Sequence, residues 1–112
     1  MRSAEVFYNG ELAGRLTEEA GSGFRFRYDD AWFVNDKKPP ISLTLPKKSQ
    51  EYNEQFLFPF FFNMLSEGVN RKLQCKLLRI DEKDYFGLLL ATARYDTIGA
   101  ITIKPVQQDE NR

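Results

Sequence analysis

Aromatic and arginine residues alternate strictly along residues 24–28, which read Phe-Arg-Phe-Arg-Tyr. Successive side chains of a β-strand point to opposite faces of a sheet, so the rings of this segment share one face and the arginines share the other. A strand of this kind belongs to a sheet with one covered and one solvated face, which is typical of antiparallel sheets. The segment therefore predicts a sheet that other elements cover on one side.

A tight hairpin is predicted near the start of the chain. Two strand-like segments flank Asn9-Gly10, and these residue types tolerate the positive φ angles that a two-residue type I′ turn requires. Pairing about this turn places Phe7 opposite Leu12 and Val6 opposite Ala13.

Two later segments also have strand-like patterns. Residues 41–45 alternate between apolar and polar side chains and stop at Pro46, which predicts a fourth strand. Residues 47–53 are polar and predict a connector without regular structure. Residues 98–103 predict a fifth strand, which Pro105 closes.

Between the fourth and fifth strands the apolar spacing becomes helical. From Glu54 onward, Phe56, Phe60 and Met64 share one stripe, and Pro59 either begins the helix or kinks it.

Two further amphipathic segments follow. Residues 69–78 place Val69, Leu73 and Leu77 on one side of a second helix. Asp81 is the candidate N-cap of a third helix. The apolar face of this third helix consists of Phe86, Leu89, Leu90 and Ala93.

These elements predict an α+β fold. The expected architecture is an antiparallel five-stranded sheet or small barrel with two to three helices, in the sequence order βββ-β-ααα-β. The chain has 112 residues, which fits one compact domain. We place this single domain at residues 1–106 and a polar C-terminal tail at residues 107–112.

The residue types in the chain argue against an enzyme. It contains no histidine, which is the commonest general base and metal ligand. Cys75 lies in a helical pattern and is expected to be a small buried side chain. The acidic residues at 81, 82 and 84 are better explained by helix capping than by cation binding. We therefore predict no catalytic residue, no cofactor and no metal site, and a protein that acts by binding another protein.

The net charge, the cysteine content and the lengths of the apolar runs indicate the environment in which the protein works. Sixteen Lys and Arg residues balance sixteen Asp and Glu residues, whereas a chain built to neutralise nucleic-acid phosphate would be strongly basic. A single cysteine suits a reducing compartment, and no run of about 18 apolar residues exists to span a membrane. We expect a cytoplasmic protein without membrane contact.

Phenylalanine occupies five of the seven positions from 56 to 62. One face of a helix cannot bury all of these rings. Phe58 and Phe62 point away from the stripe of Phe56 and Phe60, so they are either covered by a later helix or exposed as a protein contact.

Five blocks of the sequence resemble, in the correct order, the N-terminal domain of HipA-type toxin kinases from about Ala4 to Val106. The blocks are VFYNGELAGRLTEE, FRFRYDDAW, PISLTLP, LFPFFFNMLSEGVNRKL and DYFGLLLATARYDTIGAITI. The family's Pro-Glu-Gly-Trp is Ser66-Glu67-Gly68-Val69 here. The family's Phe-Asp-Asn is Phe61-Phe62-Asn63, which replaces a charge with an aromatic ring.

In that family the domain precedes a Ser/Thr kinase domain that acts as a toxin, and a helix-turn-helix antitoxin usually binds the kinase. Some systems encode the N-terminal domain as a separate small protein, which can neutralise the kinase. The resemblance therefore implies a non-catalytic subunit that binds and regulates a HipA-like kinase. Together with the aromatic run, it gives as candidate partner-binding residues Phe58, Phe62, Asn63, Ser66, Glu67, Gly68 and Val69.

An alternative function is that of a DNA-associated regulator that acts beside a helix-turn-helix antitoxin at an operator. DNA would then be contacted only as part of a complex. Basic side chains are usually a solvated surface, which is the simpler interpretation. The candidate residues for this contact are Lys47, Lys48, Arg71, Lys72 and Arg79.

Overall fold

The computed structural model describes residues 2–19, 23–65, 67–92 and 100–106. Within these ranges, five strands form one antiparallel sheet with the spatial order β4-β3-β2-β1-β5. The strands are β1 (Ser3–Tyr8), β2 (Glu11–Glu18), β3 (Phe24–Tyr28), β4 (Glu51–Glu54) and β5 (Ile101–Pro105). The α+β class is confirmed, and the described sheet is open rather than a closed barrel. The predicted tail at 107–112 and the start of the predicted fifth strand at 98–99 lie outside the described residues.

Four helices occur in the described parts of the chain, one or two more than the sequence predicts. They are α1 (Asp30–Val34), α2 (Pro59–Phe62), α3 (Gly68–Leu78) and α4 (Tyr85–Thr92). Helix α1 lies outside the helices predicted after the fourth strand, and it begins because the Asp29 side chain accepts a hydrogen bond from the Ala31 N–H. Pro59 begins α2 and does not kink it.

The predicted cap of the last helix is wrong by three residues. Asp84 caps α4, since its side chain accepts a 3.0 Å hydrogen bond from the Gly87 N–H. Asp81 instead closes the preceding turn, where its carboxylate accepts a hydrogen bond from the Lys83 N–H.

The first hairpin has the predicted turn. Asn9 and Gly10 have φ angles of 50° and 82°, and Phe7 pairs with Leu12. Val6, however, pairs with Gly14 and not with Ala13, because the register shifts by one residue at a bulge in β2.

Residues 41–45 do not form the predicted fourth strand. The Tyr28 hydroxyl accepts a hydrogen bond from the Ile41 N–H at 3.0 Å and donates one to the Leu45 carbonyl, so one side chain holds both ends of the segment. Burial raises the pKa of Tyr28 to about 12, which keeps this donor protonated. The segment therefore bends into a turn that leaves Leu43 95% exposed at its tip.

The true fourth strand is β4, which begins within the predicted connector and ends at Glu54, where the sequence predicts the start of helical spacing. It lies at the edge of the described sheet, and three of its four side chains are exposed. Only Tyr52 is partly buried against the core. A polar edge strand has almost no apolar alternation, which is why the pattern does not reveal it.

The two faces of the sheet have the predicted opposite character. Phe26 and Tyr28 are buried on the inner face. On the outer face, Arg15 of β2 pairs with Glu5 of β1 and with Arg27 of β3. Arg27 in turn pairs with Glu51 of β4. The core formed by the inner face and the helices includes Val6, Leu16, Phe26, Tyr28, Phe61, Phe86, Leu88, Leu89 and Ile103.

Gly14 lies at a close backbone approach inside this sheet. A Cβ atom at this position would lie 2.6 Å from the Arg27 carbonyl oxygen and 2.7 Å from Cζ of Phe26. We expect Gly14→Ala to lower the free energy of unfolding by about 3 kcal/mol, because neither the strand nor the buried ring can move away easily.

Gly10→Ala is the matched control for this prediction. Gly10 has a positive φ but nothing within 4 Å of an added Cβ, so only about 1 kcal/mol of backbone strain is expected. Urea unfolding measures both losses. Equal losses in the two variants would contradict the close approach at Gly14.

Candidate protein-binding site

Helix α2 is fixed to the core by Phe61. The Phe61 ring is fully buried, with its centroid 5.9 Å from Phe26 and 6.2 Å from Phe58. Of the two alternatives for Phe58, the structure shows burial, so this predicted partner-binding residue does not reach the surface. Phe56 was expected on a buried stripe but is exposed, because α2 begins only at Pro59 and helical spacing does not extend back to it.

Phe62 is partly buried and joins three helices. Its ring meets the Tyr85 ring edge-on at 5.1 Å. The Arg71 guanidinium of α3 lies 5.3 Å from the centroid of Phe62 and 5.6 Å from that of Tyr85. A cation over two aromatic faces is attracted by both rings. Most of the Phe62 contact is therefore made within the domain, and the rest of the ring is open to solvent.

The junction between α2 and α3 is the exposed part of the predicted segment. Asn63 ends α2, Glu67 precedes α3, and both are exposed. Gly68 has φ 57°, with nothing within 4 Å of an added Cβ, so the backbone conformation is what favours glycine here. Val69 follows and is 80% exposed. Ser66 lies outside the described residues.

Helix α3 presents apolar side chains to solvent. The predicted helix is confirmed. The amphipathic pattern would place its apolar side against the core, but in the structure this side is exposed. Val69, Leu73 and Leu77 are 80%, 52% and 73% exposed, and we call these three residues the α3 stripe. The opposite side of the helix is anchored by Cys75, which is buried as predicted.

The charged residues of α3 are all cationic. They are Arg71, Lys72 and Lys76. Lys72 and Lys76 are exposed, whereas Arg71 is engaged by the rings of Phe62 and Tyr85. The exposed face of α3 therefore combines an apolar stripe with positive charge.

An apolar groove of about 600 Å³ lies on the other side of Phe62. Its lining comes from β3, the segment around α2, and the start of α4. The groove is lined by Phe24, Phe56, Leu57, Pro59, Phe62, Tyr85 and Phe86, with Glu18, Lys83 and Asp84 as its charged residues.

Arg2 neutralises both carboxylates of this groove. Its guanidinium donates two hydrogen bonds of 2.8 Å to Glu18, and bonds of 2.9 and 2.8 Å to Asp84. Hydrogen bonds from Arg2 lower the pKa of Asp84, and those to Glu18 and Asp84 raise the pKa of Arg2. The bidentate geometry ties the residue before β1 to the end of β2 and to the cap of α4.

The cations of the DNA alternative do not act as one free patch. Lys47 Nζ donates to the backbone carbonyls of Asn35 and Lys38 at 2.7 and 2.8 Å. Arg71 lies over the rings of Phe62 and Tyr85. The other three candidates, Lys48, Lys72 and Arg79, are exposed.

Within the described ranges, no three His, Cys, Asp or Glu side chains are grouped in a way that could hold a metal ion. In the same parts of the chain, no helix is long and apolar enough to cross a membrane.

The family of the chain is shown by comparison with known proteins. The family model described as "HipA N-terminal domain" matches residues 4–104, so the chain belongs to the HipA N-terminal domain family. A solved structure of the N-terminal domain of HipA toxin superposes with a TM-score of 0.72 at 29% identity, and the match covers 97% of this chain and 96% of that one.

Three matched relatives differ in length. Y4mE and Y4dM of Sinorhizobium fredii, which have provisional kinase names, are 27% and 31% identical over 97% and 95% of this chain. The chain spans only 26% and 27% of their lengths. An uncharacterized protein of Haemophilus influenzae is 32% identical, with 96% of each chain covered. The matched family model describes an N-terminal domain, not a kinase domain.

The ion pairs of Arg2 make stability depend on pH. The pKa of Asp84 is lower in the folded protein than in an unfolded chain, so its contribution is present above about pH 4 and is lost as the pH falls through the folded-state value. We expect Arg2→Met to lower the free energy of unfolding at neutral pH by about 1 kcal/mol, since these groups are partly exposed. The difference from wild type should shrink below about pH 4.

Arg15→Met is the control for Arg2→Met. Arg15 faces Glu5 at 3.8 Å on the solvated side of the sheet, where an ion pair contributes little. Urea unfolding across the acid range measures both variants. If Arg2→Met lowers the free energy of unfolding by the same amount at pH 3 and pH 7, the role assigned to the carboxylates of Glu18 and Asp84 is contradicted.

Proposed function

We propose that the domain is a non-catalytic subunit of a toxin–antitoxin system, which binds a HipA-like Ser/Thr kinase and neutralises it. Relatives with kinase names carry the matched region within chains about four times as long. In those proteins the domain is thus covalently joined to a much longer polypeptide. This arrangement favours a kinase as the binding partner of the domain. A helix-turn-helix antitoxin would be a further component, and DNA would be contacted through it.

The exposed α2–α3 junction is the observation that carries the proposal. Asn63, Glu67, Gly68 and Val69 are exposed together at the point where α3 begins. An apolar side chain at the start of an exposed apolar row is a feature of protein-binding surfaces. The buried Phe61 fixes α2, and Cys75 fixes the inner side of α3, so the exposed residues beside these helices are presented on preformed elements.

Val69 is the residue through which the junction would reach a pocket of the kinase. The family motif that this segment resembles has tryptophan at this position. A valine buries less apolar surface than a tryptophan, and the difference is on the order of 1 kcal/mol or more. Binding by the natural chain therefore depends on additional contacts beyond position 69.

Titration calorimetry with a separately encoded HipA-like kinase of the same genome tests the proposal. We expect binding with a Kd in the micromolar range or below, and reduced kinase activity in the complex. Absence of binding with both proteins folded would contradict the proposed function.

Val69→Trp tests whether the junction is the contact. We expect this variant to bind the kinase about 5- to 10-fold more tightly than wild type, because the larger ring buries more apolar surface. Leu43→Trp is the matched control, since Leu43 is also largely exposed, at 95% against 80% for Val69, but lies on the turn after α1. An equal gain in affinity for both variants, or no gain in affinity for Val69→Trp, would place the contact elsewhere.

A further inference from the structure

We infer that the α3 stripe docks into an apolar groove edged by carboxylates on the kinase. This inference rests on the proposed function and identifies the chemistry of the partner surface. It extends the contact from the junction at Val69 along the whole exposed face of α3.

The spacing of the stripe suits the binding of a helix in a groove. Val69, Leu73 and Leu77 recur every four residues, so they lie on one side of the helix over about 12 Å. Recognition of a helix by a groove uses apolar anchors at this spacing. All three side chains are more than half exposed, so each is available to a partner.

The inner side of α3 prevents the stripe from turning toward its own core. Cys75 is buried on that side, and Arg71 lies over the rings of Phe62 and Tyr85. Rotation of the helix to bury Leu73 would expose Cys75 and separate Arg71 from both rings. The stripe is therefore presented on a preformed helix, which reduces the entropic cost of binding.

Charge complementarity identifies the edges of the partner groove. Lys72 and Lys76 each precede a leucine of the stripe, so the two cations line one of its flanks, and both are exposed. Asn70, on the other flank, is uncharged. The chain as a whole has no net charge, so this positive flank is a local feature. A groove with carboxylates at its rim would attract it and fix its orientation.

A second copy of the domain fits this chemistry poorly. The groove beside Phe62 is apolar and contains Glu18 and Asp84. Both carboxylates are already hydrogen-bonded to Arg2, and Lys83 adds a positive charge to the same lining. The described lining of this groove therefore offers no unpaired carboxylate to Lys72 or Lys76.

The test compares two pairs of variants by titration calorimetry with the kinase. Leu73→Gln combined with Leu77→Gln removes the apolar anchors and keeps good helix formers. Leu43→Gln is its control, because it replaces an exposed leucine outside α3. We expect the double variant to bind about 30-fold more weakly than wild type, and the control to bind like wild type.

The second pair tests the charge of the partner groove. Lys72→Glu combined with Lys76→Glu should weaken binding about 10-fold at low salt, and the difference should diminish at high salt. Lys48→Glu, another exposed lysine, is the control and should have no effect. Circular dichroism confirms that each variant keeps its fold.

The outcomes separate this inference from the proposed function. Full affinity of the Leu73→Gln/Leu77→Gln variant would overturn the inference and leave kinase binding intact. Failure of the wild-type domain to bind the kinase would overturn both. Two other results would assign the stripe to another occupant and overturn the inference. One is binding of the wild type to anionic phosphatidylserine vesicles, and the other is a wild-type dimer in sedimentation velocity. Either result counts if the Leu73→Gln/Leu77→Gln variant loses it while the kinase affinity of the variant is unchanged.

Discussion

Phe26 and Phe61 meet between the sheet and the helices, and this contact determines where the other elements can lie. Phe26 is at the centre of the alternating third strand, and Phe61 is the buried residue of α2. Their ring centroids are 5.9 Å apart. Because α2 has only four residues, burial of Phe61 leaves little freedom for its neighbours. Phe58 is directed into the core, and Phe62 is directed to the boundary with α3 and α4.

Two arginines extend this arrangement to the surface. Arg71 lies over the rings of Phe62 and Tyr85 and thereby fixes the inner side of α3. Arg2 joins the carboxylates of Glu18 and Asp84 and thereby fixes the start of α4. With its inner side fixed, α3 must direct its apolar stripe to solvent. The exposed stripe is thus a consequence of how the core is packed. It contributes no burial free energy to the isolated domain, and a partner that covers it would gain that free energy on binding.

The sequence predicts those parts of the fold that depend on local pattern. The turn at Asn9-Gly10, the alternation of β3 and the helix at 68–78 all follow from residue type or apolar spacing. The fourth strand does not, because Tyr28 bends residues 41–45 into a turn through two long-range hydrogen bonds. The site is predicted in outline only. Apolar spacing identifies the row that contains Leu73, but it cannot show whether this row or the Cys75 side of the helix packs on the core.

Hydrogen–deuterium exchange of the domain with and without the kinase tests the central claim most directly, because it locates the contact without any substitution. We expect slower exchange in the kinase complex for the amides of residues 67–79, which include the junction and α3. We also expect little change on the outer face of the sheet around Arg15 and Arg27. Unchanged exchange in residues 67–79, together with protection of the outer face of the sheet, would contradict the assignment of α3 as the kinase-binding surface.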